Sequence, residues 1–163
     1  MEPSSYKDQE KKEVYKVNTF PVPFPLGKNL ENISIITNPD PKPSKEKIII
    51  QAFKFHSEGN ISKAVKYYEF FIDQGFKDCQ VFTNYGVILK NLGRLQDAEL
   101  FTRKAIELNP DFAGAHSNLG NILRGLGKLQ EAEVSQRKAI ELNPDLADAH
   151  SNLGNILSDL GKL

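Results

Sequence analysis

From about Ser44 onward, apolar side chains recur at helical spacing. Ala115, Leu119, Ile122 and Leu126 follow at steps of four, three and four, which places them on one stripe of a helix. Leu129, Ala132, Ala139 and Ile140 line a second helix, and Gly127-Lys128 between them reads as a turn in which glycine is free to take positive φ. Asn143-Pro144 ends the second helix, because proline has no N–H to continue it and suits the first turn of the next. The unit is therefore helix–turn–helix. Neither helix can bury its stripe alone, so neighbouring units must stack.

The unit repeats. Glu141-Leu142-Asn143-Pro144 copies Glu107-Leu108-Asn109-Pro110, and Ala149 to Leu157 copies Ala115 to Leu123 without change, each at a distance of 34 residues. Gly59, Gly93, Gly127 and Gly161 keep the same step of 34. The spacing predicts units at about 44–76, 77–110 and 111–144, with a partial unit at 145–163, and so seven helices without a sheet. Residues 1–43 break the pattern, for they hold seven of the nine prolines. Phe20-Pro21-Val22-Pro23-Phe24-Pro25 favours extended, polyproline-II-like backbone, and 1–43 reads as an irregular segment. That segment is either free or folded back through Phe20 and Phe24 onto Ile49 and Phe53.

The chain resembles the tetratricopeptide-repeat family over residues 44–163. The family pattern runs through Leu-Gly, an apolar residue, a turn Gly, Ala, an aromatic, Ala and Pro. Leu119-Gly120, Leu123, Gly127, Ala132, Ala139 and Pro144 match it, as do Gly86, Leu89, Gly93, Ala98, Ala105 and Pro110. Leu153-Gly154, Leu157 and Gly161 continue it, and Ala52, Phe55, Gly59, Ala64, Tyr68 and Phe71 form a diverged first unit. The resemblance implies an all-α, right-handed superhelical solenoid. Thr102 and Gln136 stand where the family has an aromatic, so looser packing is expected there. The last unit has one helix only, and Leu153, Ile156, Leu157 and Leu160 are expected to lie uncovered. The array then reads as the front part of a longer one, and self-association through this face is expected.

Composition removes several function classes. Lys plus Arg and Asp plus Glu both number 21, so the formal net charge is zero, without the cation surplus that nucleic acid or an anionic membrane demands. Cys79 is the only cysteine, so there is no intrachain disulfide, which suits a reducing compartment. No apolar run approaches a membrane span of about 20 residues, and Met1 to Glu13 lacks the apolar core of a signal peptide. A cytoplasmic location is expected.

Candidate chemistry is sparse. His116 and His150 occupy one position of successive units and read as packing residues rather than metal ligands. Arg124-Gly125-Leu126-Gly127-Lys128 lacks the Ser or Thr and the preceding strand of a phosphate loop. Cys79 has no histidine near it in sequence. No catalytic constellation, metal set or cofactor motif is present, so an enzyme is not expected within these residues.

The polar face of the first helix in each unit carries the remaining signal. It bears Gln80, Thr83, Asn84, Lys90 and Asn91, then Gly114, Ser117, Asn118, Asn121, Arg124 and Gly125, then Asp148, Ser151, Asn152, Asn155 and Ser158. In the family, first helices line a concave groove. The segment Ala-His-Ser-Asn-Leu-Gly-Asn is similar to the repeats of O-linked N-acetylglucosamine transferases, whose array uses an asparagine ladder. Asparagine offers a donor and an acceptor, which suits an extended peptide backbone. The resemblance implies a polypeptide site at Asn84, Lys90, Asn118, Asn121, Arg124, Asn152 and Asn155. The expected function is a protein-interaction scaffold; the rival is the substrate-recruiting part of a larger transferase.

Overall fold

The computed structural model describes residues 43–162. The Phe20 and Phe24 docking expectation lies outside them. Seven α-helices and no strand occur among the described residues: α1 Lys45–Ser57, α2 Ile61–Asp73, α3 Cys79–Asn91, α4 Leu95–Leu108, α5 Ala113–Gly125, α6 Leu129–Leu142 and α7 Ala147–Asp159. The expectation of an all-α repeat solenoid is met. Helices pack in antiparallel-type hairpins, α1 with α2, α3 with α4 and α5 with α6. Each second helix then leans on the next first helix, α4 on α5 and α6 on α7, while the first helices α3, α5 and α7 touch in succession.

Local chemistry sets the helix ends. Ser44, Asn60 and Asp78 cap α1, α2 and α3, their side-chain oxygens accepting from the N–H of Lys47, Lys63 and, for Asp78, both Gln80 and Val81. The hairpin turns between α3 and α4 and between α5 and α6 pass through Gly93 at φ 76° and Gly127 at φ 74°, a region that penalises any Cβ. The Asn-Pro turns differ from expectation. Pro110 lies outside α5, which starts at Ala113. The reason is the Asn109 side chain, whose Oδ1 accepts from the Asp111 N–H at 3.2 Å and folds Pro110-Asp111 into a turn of its own; Asn143 and Asp145 do the same at 3.2 Å.

The two repeated histidines also differ from expectation. They do not fill the core. His116 and His150 donate from Nε2 to the carbonyls of Pro110 and Pro144, both at 2.8 Å, and tie each first helix to the turn before it. A carbonyl only accepts, so both imidazoles carry a proton on Nε2.

The core is a column between the helix pairs. Its first part is aromatic: Tyr68 and Tyr85 meet tilted at a centroid distance of 5.7 Å, Tyr85 and Phe101 edge to face at 5.0 Å, and Phe82 meets Phe101 at 5.9 Å. The Tyr68 hydroxyl meets His56 Nδ1 at 3.1 Å, and Tyr85 donates to Glu69 at 3.1 Å. Burial pushes both phenols up to about 12. Farther along the core becomes aliphatic, with Leu119, Leu123, Ala132 and Ile156 in one cluster. Each such Leu or Ile contributes about 1.5–3 kcal/mol relative to exposure. Ile156 is fully buried in that cluster, which corrects the expectation that its stripe is uncovered: α6 and α5 already take its side chain, and only Leu153, Leu157 and Leu160 remain half-exposed.

Small residues on each first helix admit one side chain from its partner. Tyr68, Thr102 and Gln136 stand 34 residues apart, at one place on α2, α4 and α6, and all three are fully buried. Thr102 packs on Gly86, whose added Cβ would also come within 3.3 Å of the Ala98 carbonyl. Gln136 fills the notch at Gly120, where a Cβ would lie 2.5 Å from its Nε2 and 2.8 Å from its Cγ and Cδ. The site expected to be loosely packed is instead filled by the glutamine chain. One polar atom is left over at each place, for Thr102 Oγ1 and Gln136 Oε1 have no hydrogen-bond partner among the described residues. Such an orphan acceptor costs about 1–3 kcal/mol.

Ion pairs repeat at the same period on the second helices. Glu99 binds Lys128 at 2.8 Å and Arg103 at 2.9 Å; one repeat on, Glu133 binds Lys162 at 2.7 Å and Arg137 at 2.9 Å. Lys128 and Arg103 hold the Glu99 carboxyl below its ordinary value. These surface pairs fix register more than they add stability, because water and salt screen exposed charges.

The notch at Gly120 and the open position Gly154, one repeat on, give a matched test. Gly120→Ala overfills a closed space and is expected to cost about 1–3 kcal/mol. Gly154→Ala meets nothing within 4 Å and gains helix propensity, so it leaves stability unchanged or raises it by up to about 1 kcal/mol. Urea unfolding of the two variants side by side measures the difference; equal costs would contradict the notch.

Candidate functional site

The first helices α3, α5 and α7 bring their polar faces to one cleft of about 530 Å³, lined by Lys90, Asn121, Arg124, Gly125, Asn152 and Asp159. The 34-residue period produces this. Successive first helices stack one above another, so the polar faces of neighbouring repeats meet, and α5 and α7 are near copies. Lys90 and Arg124 are equivalent, and both project from the last turn of their helix, where the exposed carbonyls favour a cation.

Four of the seven residues expected at a site are gathered here: Lys90, Asn121, Arg124 and Asn152. Asn84, Asn118 and Asn155 are not part of the cleft lining. Asn84 is half-buried against the Tyr68 hydroxyl, whose phenolate its amide favours. Asn118 is half-buried and Asn155 is exposed. Thr83 and Ser117, also placed on the polar face, are buried, because that edge of each helix is overlapped by its neighbours. Thr83 donates to the Cys79 carbonyl at 2.7 Å. Asp148, on the same face, is exposed and lies away from the cleft.

Two residues at the cleft were not among those expected at the site. Asp159 comes 35 positions after Arg124 and forms an ion pair with it across the cleft. The Arg124 hydrogen bond holds the Asp159 carboxyl below its ordinary value. Counting 35 positions on from Lys90 gives Gly125, which has no carboxylate to offer, and Lys90 makes no ion pair among the described residues. The signal was a one-residue offset between repeats, invisible to a search for identical positions. The second missed residue is Gln136, whose Nε2 reaches the Ser117 carbonyl at 2.9 Å and Asn121 Oδ1 at 3.4 Å.

The arrangement is rich in donors. Lysine and arginine only donate, and the asparagines do both. Its chemistry is hydrogen bonding and charge recognition: the cleft holds no nucleophile next to a base. Among the described residues, no group of three or more His, Cys, Asp or Glu is placed to hold a metal ion, and no helix is long and apolar enough to cross a membrane.

A second depression, about 420 Å³, lies between α4 and α6 with Leu119 of α5 beneath it. Ile106 and Val134 make it more apolar than the cleft, and Val134 is 68% exposed.

Comparison with known proteins decides the family. Family models described as tetratricopeptide or TPR repeats match residues 80–112, 101–134 and 120–161. The chain belongs to the tetratricopeptide-repeat family. Among solved structures, it is similar to the first TPR of Spaghetti (RPAP3) bound to an HSP90 peptide, SRMEEVD, at 24% identity and a TM-score of 0.67, covering 72% of this chain and 96% of that one. It is similar to YrrB, described as a TPR protein with an unusual peptide-binding site, at 22% identity and a TM-score of 0.67, with coverage of 73% and 61%. It also matches an O-GlcNAc transferase of Thermobaculum terrenum at 25% identity and a TM-score of 0.65, over 69% of this chain but 22% of that one. A search of curated proteins gave no significant match.

The ion pair across the cleft has a direct signature. Arg124→Gln is expected to raise the Asp159 pKa toward the ordinary aspartate value of about 3.9. Carboxyl carbon NMR across an acid titration reads it. An Asp159 titration identical in both proteins would show that the pair does not persist in solution.

Proposed function

We propose that this tetratricopeptide array is a protein-interaction scaffold that holds an extended polypeptide in the cleft of α3, α5 and α7. The observation that carries this reading is the cleft itself, in which α3 and α5 contribute cations from equivalent positions, Lys90 and Arg124, and α5 and α7 contribute the amides of Asn121 and Asn152. A peptide backbone presents carbonyl acceptors along its length, and the Asn121 and Asn152 amides, on neighbouring helices, can each take one. Asn118, Asn84 and Asn155 extend the same polar face toward a longer segment. Peptide sites in two of the similar folds, RPAP3 and YrrB, support the class of ligand.

Each hydrogen bond in such a cleft contributes about 1 kcal/mol net, because water competes for the same groups. Affinity is therefore expected in the micromolar range, about −8 kcal/mol, assembled from several positions. Lys90, which makes no ion pair among the described residues, favours an acidic side chain on the ligand. Asp159 competes with the ligand for Arg124.

The match to the O-GlcNAc transferase favours a second reading, in which the array recruits protein substrates to a transferase, for there the array resembles part of a much longer chain. Sequencing the transcript beyond the Leu163 codon separates the two: a transferase domain in frame supports the second reading, and further repeats alone support the first.

The test of the cleft begins with a ligand selected from a random peptide display library. The double variant Asn121→Ala plus Asn152→Ala is expected to bind that peptide at least tenfold more weakly, about 1.4 kcal/mol, with an unchanged helical circular dichroism spectrum. Equal affinity by isothermal titration would remove the cleft from the mechanism.

A further inference from the structure

We infer that Gln136 is a positioning residue that turns Asn121 so that its N–H groups face the cleft, making this wall specific for acceptor oxygens. The inference rests on the peptide-binding reading and adds to it the polarity of the group that is bound.

Gln136 belongs to α6, on the far side of α5 from the cleft, and is fully buried. Its chain is locked in the Gly120 notch. Its Nε2 lies 2.9 Å from the Ser117 main-chain oxygen. A carbonyl can only accept, so the nitrogen of this amide must be on that side, and the amide cannot be reversed. One N–H goes to Ser117. The other is directed at Asn121, 3.4 Å away, which must answer with its oxygen. The Asn121 oxygen is then occupied from within, and its Nδ2, with two N–H groups, is left to the cleft.

This order of amides occurs once among the described residues. One repeat earlier, Val87 stands in place of Asn121 and Thr102 in place of Gln136. The flanking cations Lys90 and Arg124 are donors as well. Asp159, the carboxylate in the cleft lining, is engaged by Arg124. The Asn121 side of the cleft therefore takes a main-chain carbonyl or a carboxylate of the polypeptide, and disfavours an N–H.

Nitrogen-edited NMR on the full chain tests the orientation without any ligand. The Gln136 side-chain amide is expected to be protected from solvent exchange and the Asn121 side-chain amide to exchange freely. The reverse pattern overturns the inference. Two probes then separate the sources of oxygen: acetyl-triglycine amide, with carbonyls alone, and acetyl-triglycine, with a terminal carboxylate. Either is expected to shift the Asn121 side-chain N–H signals, and the carboxylate probe to bind more tightly, by an amount that shrinks with salt. Gln136→Leu keeps the apolar plug, and is expected to abolish the Asn121 side-chain shifts and weaken both probes at least threefold. A folded Gln136→Leu protein that binds both probes as wild type does overturns the inference. Absence of any cleft shift with either probe counts against the peptide-binding reading, whereas the exchange pattern decides the role of Gln136 by itself.

Discussion

The close approach of the two helices in each hairpin governs the rest of the molecule. At Gly86 and Gly120 the first helix offers no side chain, and Thr102 and Gln136 of the second helix occupy the space; Tyr68, at the same place on α2, is fully buried too. The contact sets the distance between the two helices and thereby the width of the ledge on which the next hairpin rests. Interiors are packed too densely for that distance to drift. Because the contact recurs every 34 residues, so do its consequences: the Glu99 and Glu133 ion pairs fall in one register, and the histidine-to-proline ties at His116 and His150 in another.

The same contact connects packing to the binding face. A hydrophobic plug ends at the notch, but the amide of Gln136 continues through it and meets Asn121 on the cleft side. The hairpin with the polar plug is thus the hairpin whose surface amide is oriented from behind. The cost is visible in the unpartnered Gln136 Oε1. The first hairpin, plugged by Tyr68, uses its hydroxyl differently, toward His56 and Asn84, and its neighbouring asparagine is held against the core rather than presented to the cleft.

The fold was legible because its signals are periodic. Thirty-four-residue spacing, turn glycines and apolar stripes all point to one architecture, and agreement among levels is what specifies a structure. The cleft was only half legible. Lys90, Asn121, Arg124 and Asn152 could be placed on one face by period alone. Asp159 could not, because its pairing with Arg124 crosses repeats with an offset of 35, and an ion pair depends on side-chain reach rather than helical phase. The histidines were misread because a family position that usually packs was held instead by a residue with a hydrogen-bonding ring. Gln136 was taken for a weak packing substitute since nothing in one sequence shows which carbonyl its amide will meet. Ile156 was taken as uncovered because the count of helices, not the depth of α7 against α5 and α6, was all that spacing could supply.

The central claim is that polypeptide lies along α3, α5 and α7, and the competing surface is the more apolar depression between α4 and α6. Paramagnetic broadening by a spin-labelled peptide, selected for binding to the full chain, discriminates between them directly. The account predicts broadening concentrated at the Lys90, Asn121, Arg124 and Asn152 amides, with the Ile106, His116 and Val134 amides left sharp. Broadening centred on Val134 and His116, with the α3–α5–α7 cleft unaffected, would contradict it.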